Sequence, residues 1–340
     1  MTDIFADIRP FKNFSDMKKT WLLLLFCPLA VFAQVNFQSS NLPIVIITTN
    51  DGAQIPDEPK ITAQMKIIDN GPGQTNYVGG APNGYDGFIG IERRGSSSQD
   101  LSDKKPYAVE TRDAAGENLN VPLLGMPPEN DWVFMAPFND KSLVRDALTF
   151  ELARRIMPWA PRTRFVEVML NGNYQGIYLV TEQIKRDKNR VDIATLTATD
   201  IAGDELTGGY IIKFDKSTGS NNDGWVSPYP PLLGSWQDTY YQFHEPKPDE
   251  IQQPQRKYIE DWTTHFENVM AAPQYADTTE GYPKYLDVQS FVDFVIINEM
   301  TKNVDAYRLS TFLYKDKDSK DPRMHAGPVW DFNIALGNAD

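Results

Sequence analysis

The chain has 340 residues, 41% of them apolar, with 46 Asp and Glu against 33 Lys and Arg and a formal net charge of −13. That acidic balance argues against a nucleic-acid or anionic-membrane surface, since both need clustered Lys and Arg to neutralise phosphates. The length suffices to bury a large core without covalent staples, and the lone cysteine, Cys27, excludes a disulfide framework.

The N-terminus carries the first recognisable segment. The basic stretch Met17-Lys18-Lys19 precedes the apolar run Trp21 to Ala33, the order of a secretory signal peptide over residues 17–33 with cleavage before Gln34. The run is too short for a bilayer-spanning helix, which takes ~20 residues. Residues 1–16 are charged and aperiodic and read as an overcalled start. The expectation is an exported protein, periplasmic, cell-surface or extracellular, with no membrane span after removal of the signal and no thiol, because Cys27 leaves with it.

From Leu42 a β-branched run ends at the turn signal Asn50-Asp51-Gly52, and residues 61–68 alternate as a half-buried strand. Residues 70–87 are rich in Gly, Pro and Asn and read as a loop, followed by strands over 88–93 and 106–112. A helix is predicted from Asn139-Asp140, with Leu143, Ala147, Leu148, Leu152 and Ile156 as its apolar face, ending at Pro158. Asn171-Gly172 between two β-rich runs predicts a hairpin over 164–181.

A strand over 209–214 precedes a surface loop, 221–231. Two helices follow: 255–270, with Tyr258, Trp262, Phe266 and Val269 on one face, and 288–300, capped by Asp287, with Phe291, Val292, Val295, Ile296 and Met300 on its apolar face. Strands return at 311–314 and near 327–330, around a charged turn. The order predicts an α+β fold with two lobes, a β-rich N-terminal half and a more helical C-terminal half. Residues 34–87 form a first β-rich segment and 88–340 the main domain.

Three loops concentrate polar residues. Arg94-Gly95-Ser96-Ser97-Ser98 at a strand end, with Lys104 and Lys105 entering the next strand, suits close approach to an anion and supply of a counter-charge. Asn303-Val304-Asp305 follows a helix, where a carboxylate can accept the proton of an attacking hydroxyl. Trp330-Asp331-Phe332-Asn333 follows a short strand, where a carboxylate between bulky apolar neighbours suits a Mg²⁺ ligand. That order, phosphate cradle, base, metal-binding aspartate, is the order of protein kinases.

Several separated pieces carry a more specific likeness: RRGSSS with KKPY, RDALTFELARRI, APRTRFVEVMLNGNYQGIYLVTEQI, NVDAYRLSTFLYKD and GPVWDFNIALG. Through them the chain resembles the CotH (spore coat protein H) kinase family over most of residues 42–340. The resemblance implies an atypical protein-kinase-like fold and transfer of the ATP γ-phosphoryl group to Ser or Thr hydroxyls of surface or coat-type proteins, with Mg²⁺ or Mn²⁺. It implies Asp305 as catalytic-loop aspartate and Asp331 as metal-binding aspartate. Lys104 or Lys105 would contact phosphates, with Arg94, Gly95, Ser96 and Ser97 nearby, and Glu151 or Glu182 would pair with that lysine. Family members often carry Asn five residues after the loop aspartate; here Ser310 stands there, and Asn333 is the substitute metal ligand. The departure keeps a second reading open, a weakly active or inactive binding protein of the cell surface or matrix. The chain also ends nine residues after Asp331, which reads as a missing C-terminal part.

A hydrolase is the disfavoured class. No G-x-S-x-G elbow occurs, and His244, His265 and His325 lack a metal-ligand spacing such as H-E-x-x-H.

Overall fold

Alternation of apolar residues along seven strands is what builds the largest of the four β-structures among the described residues. A computed structural model describes residues 35–95, 99, 102–216, 223–232 and 234–339; the signal segment, Ser96 and Ser97 lie outside the described residues. The chain divides at Phe37 into two units, and the architecture below is that of the second, Gln38–Asp340.

The strands, in chain order, are β1 (Ser39–Ser40), β2 (Ile44–Thr49), β3 (Ile61–Ile68), β4 (Asn76–Tyr77), β5 (Tyr85–Arg93), β6 (Tyr107–Arg112), β7 (Val121–Leu123), β8 (Met126–Glu129), β9 (Asp131–Met135), β10 (Thr163–Leu170), β11 (Asn173–Glu182), β12 (Tyr210–Phe214), β13 (Gly224–Val226), β14 (Tyr240–Glu245), β15 (Thr311–Lys315) and β16 (Met324–Ala326). Three α-helices occur among the described residues: α1 (Arg145–Ala153), α2 (Gln253–Ala271) and α3 (Val288–Thr301). The fold is thus α+β, with two of these helices in the C-terminal half.

Strands β10, β11, β9, β6, β5, β3 and β2 close into a barrel, sealed by parallel pairing of β10 with β2. Each strand sends alternate residues inward: Val45 and Ile47, Met65 and Ile67, Ile89 and Ile91, Tyr107 and Val109, Trp132 and Phe134, Val166 and Val168, Tyr178 and Val180. A period of two places such pairs on one face, so a barrel of this size fills its own interior. The barrel draws strands from both sides of residue 87, and β5 itself crosses that point. The predicted hairpin is β10–β11; Asn171 (φ 50) and Gly172 (φ 79) both take left-handed backbone, as a type I′ turn requires. Asn171 also fixes the turn to β2 by accepting from the Thr49 N–H at 2.9 Å.

A second, antiparallel sheet has the order β13-β14-β12-β15-β16. One face packs on α2 through Tyr210, Ile212, Tyr241, Phe243 and Ile259, with Tyr258, Trp262 and Phe266 of the predicted helix face half-buried against the same cluster. The other face buries Ile211 and Phe312 with Ile184, Val191 and Ile193.

Four local expectations change. The 139–158 helix begins only at Arg145, because Leu143 takes φ 64 and the buried Asp140 carboxylate accepts from the N–H groups of Ser142 (3.0 Å) and Arg145 (2.9 Å), holding a loop together rather than capping a helix. Its buried face is Asp146, Thr149, Phe150 and Ala153, while Leu148 and Ile156 are exposed. Helix α3 is capped by Asp287 as expected, Ser290 N–H to Oδ2 at 3.0 Å, but it buries Ser290, Asp293, Phe294, Ile297, Asn298 and Thr301 and leaves Val292, Val295, Ile296 and Met300 exposed. Neighbouring α1 is the reason: Phe150, Ala153 and Met157 share a cluster with Phe294 and Ile297, so tertiary packing selects that stripe. Finally, the strand expected near 327–330 is β16, Met324–Ala326, and the 221–231 loop contains β13.

Candidate active site

Asp331 is positioned by its two aromatic neighbours. Trp330 stacks on Phe150 of α1 with centroids 5.9 Å apart, and Phe332 meets the same ring edge-on at 6.4 Å. The chain between them is pinned by Asp146, also on α1, whose Oδ1 accepts the Phe332 backbone N–H at 2.6 Å. Asp331 is thereby held at φ 64, a backbone conformation that a non-glycine residue adopts only when its surroundings impose it.

A cavity of about 300 Å³ opens at this point. It gathers Arg94 and Gly95 from the end of β5, Asp215 and Lys216 from the end of β12, Asp305 and Ser310 from the loop after α3, and Asp146, Asp331 and Asn333. Three loops far apart in sequence converge because β5 ends at the barrel rim, β12 is central in the second sheet, and α3 packs on α1.

The electrostatics are those of crowded carboxylates. Burial pushes Asp331 up from its ordinary value; the Arg94 guanidinium opposes, and Asp215 and Asp305 add to the rise. Burial, then the charge of Asp331, pushes Asp146 up to about 7, against the Phe332 hydrogen bond. Arg94 lies over the Trp330 ring at 5.6 Å and is pulled below its ordinary value by burial, with Asp331 and Asp215 acting against the fall. Asp215 pairs with Lys213 at 3.2 Å and accepts the Lys216 N–H at 2.9 Å. Asp305 pairs with Arg308, whose side chain is exposed, and its N–H reaches Asn303 Oδ1 at 3.3 Å. Four carboxylates thus face two cations, Arg94 and Lys216. Lys213 and Arg308 pair with two of the carboxylates, Asp215 and Asp305, which leaves Asp146 and Asp331 as the mutually repelling pair that a bound cation would relieve.

Of the residues singled out in the sequence, Arg94, Gly95, Asp305, Ser310, Asp331 and Asn333 share this cavity. Lys104, Lys105, Glu151 and Glu182 do not. Lys104 lies 4.7 Å over the Tyr178 ring and donates to the Ile177 carbonyl, so its ammonium is spent on β11. Lys105 donates to the carbonyls of Ser102 (2.6 Å) and Gln99, closing its own loop. Glu182 is buried and meets Arg162 rather than a lysine: Oε1 takes the guanidinium at 2.7 Å and Oε2 the Arg162 N–H at 2.8 Å. Glu151 pairs along its own helix with Arg154 and Arg155.

Asp146, Asp215 and Lys216 are cavity residues that the sequence reading did not select. Asp215 had a usable signal, a carboxylate just past a strand end, the pattern that drew attention to Asp331. Asp146 had none, since first-turn acids are common on helices.

Among the described residues no three His, Cys, Asp or Glu side chains converge to hold a metal by themselves, and no helix is long and apolar enough to cross a membrane. A family model described as CotH kinase protein matches residues 91–340. No curated protein matches the chain.

Proposed function

Because the chain belongs to the CotH kinase protein family, we propose that it is an atypical protein kinase that transfers the ATP γ-phosphoryl group to a Ser or Thr hydroxyl of a protein acceptor. The observation that carries this reading is the convergence of Arg94, Asp305 and Asp331 on one cavity lined by four carboxylates. We propose with it a kinase-like two-lobed arrangement, the barrel as one lobe and the second sheet with its helices as the other.

The residues fit a divalent ion bound together with phosphates. Mg²⁺ is commonly held by one or two carboxylates plus substrate oxygens and waters, so a site without three converging ligands is adequate. Asp331 and Asn333, which both line the cavity, would hold it. Bound Mg²⁺ or Mn²⁺ would supply charge neutralisation for the phosphate oxygens.

The chain's own residues do the rest. Arg94, backed by Trp330, and Lys216 face the phosphates, in place of Lys104 and Lys105. Asp305 takes the proton of the acceptor hydroxyl while the new P–O bond forms and the bond to the departing ADP oxygen breaks. Asp146 acts on none of the reacting atoms and fixes the 330–333 segment. Catalysis of this kind rests on positioning and charge.

Transfer of labelled γ-phosphate by the purified protein with Mg²⁺ or Mn²⁺ tests the proposal. Wild type should label Ser or Thr, and Asp331→Ala and Asp305→Ala should abolish labelling. Equal inactivity of wild type and Asp331→Ala across acceptors would favour the second reading, a binding protein, for which Ser310 in the usual Asn position is the motivating observation. The 17–33 segment supports export, which N-terminal sequencing of protein recovered outside the cell checks by a start at Gln34.

A further inference from the structure

A second cavity, of about 430 Å³, has a different character. The chain as a whole carries 46 acidic against 33 basic residues, yet three of the four charged side chains lining this cavity are Arg162, Lys188 and Arg190, and only Asp192 is acidic. We propose that it is an oxyanion site that takes a phosphomonoester-type group.

Two of the cations are held in place. Arg190 is buried, donating to the carbonyls of Gln183 (2.9 Å) and Asp131 (3.0 Å) with its guanidinium 5.4 Å over Trp132. Arg162 commits Nη1 to Glu182 at 2.7 Å and to the Asn189 carbonyl at 3.2 Å. Its Nη2 has no acceptor among the described residues, and a third of the side chain is open to solvent at 33%. A guanidinium fixed on one edge and open on the other is the usual receptor for a phosphate or carboxylate. Lys188 is exposed with no ion-pair partner among the described residues, which leaves its ammonium available at the mouth. Trp159, a wall of the cavity, buries an indole N–H that has no acceptor among the described residues.

The apolar part of the wall, Met157, Val191 and Pro328, gives a carrier of the anion something to pack on. A free phosphate ion and a phosphoserine side chain share the anionic group and differ in that carrier. At neutral pH either bears a charge of about −1.5 to −2, matching two open cations. The site is lined by none of the residues around Asp331, so its occupancy does not depend on phosphoryl transfer.

Titration calorimetry of the purified protein, with inorganic phosphate in one series and a short phosphoserine peptide in another, tests it. Saturable binding is expected, weakened at least tenfold by Lys188→Glu. Tighter binding of the peptide identifies the side chain as source, and equal binding the free ion. Absence of saturable binding in both series, or binding lost in Arg94→Ala and kept in Lys188→Glu, overturns the proposal. Lys188 is exposed, so its variant should melt with wild type.

Discussion

The Asp146 carboxylate accepts the backbone N–H of Phe332 at 2.6 Å, joining the first turn of α1 to a segment 186 residues later. Asp331 sits beside that bond, so one buried side chain decides where the candidate metal-binding carboxylate points.

Removing the acceptor should therefore cost stability and activity together. Asp146→Ala leaves the Phe332 N–H buried without a partner, a loss of about 1–3 kcal/mol. Asp146→Asn keeps an oxygen acceptor without a charge and should match or exceed wild-type stability at pH 8, where the raised Asp146 value of about 7 means the wild-type carboxylate is mostly ionised. Urea denaturation of the three proteins checks the order; equal stabilities would sever the link between α1 and the 330–333 segment.

Asp331 should show a trade between stability and function. Burial and the nearby Asp215 and Asp305 disfavour its charge in the metal-free protein, despite Arg94. Asp331→Asn is expected to abolish phosphoryl transfer while the melting temperature stays level or rises by a few degrees. Calorimetric melting beside the labelling assay measures both. A marked drop in melting temperature would mean that the Arg94 attraction outweighs the repulsion.

Glu182 should act as a structural residue. It is 1% exposed, and Arg162 is its cationic partner. Glu182→Ala leaves that arginine partly buried and unpaired, at a cost of about 3 kcal/mol. Chemical denaturation gives the value, and a change under about 0.5 kcal/mol, typical of exposed sites, would contradict it.

His244 gives the protein a sign-defined pH response. Burial pulls it from 6.5 down to about 4, with the hydrogen bond to the Ile184 carbonyl acting the other way. Between those values the unfolded chain binds the proton and the folded chain does not. Stability from this group is complete above about 6.5 and lost as the pH falls toward 4, on the order of 3 kcal/mol in all. Wild type should lose more stability than His244→Gln between pH 7 and pH 4. Parallel losses would show that the imidazole titrates alike in both states.

Much of the β-structure was legible because a strand's period of two is a local property. Residues 61–68 alternate in the sequence and form β3 with those bounds, and Asn171-Gly172 names its own turn. The loops bearing Arg94, Asp305 and Asp331 were legible for a similar reason, since each follows a regular element whose end the sequence marks. The choice of lysine was not. Lys104 and Lys105 follow a loop and precede Pro106; the Lys104 ammonium reaches β11, some 70 residues later, whereas that of Lys105 turns back to the Gln99 and Ser102 carbonyls of its own loop.

By itself, then, the sequence determined many of the elements, though not β7, β8, β9 or β14, together with the hairpin and the candidate carboxylates at loop positions. Only the tertiary structure decided which helix stripe is covered and which charges meet. Periodicity places Val292, Val295 and Ile296 on one stripe of α3, but burial depends on the neighbour, and α1 takes the stripe of Phe294 and Ile297 instead. In the same way Asp146 is an ordinary first-turn acid until the fold sets it beneath Phe332, because a carboxylate's role follows from the charges and donors around it, and those come from distant parts of the chain.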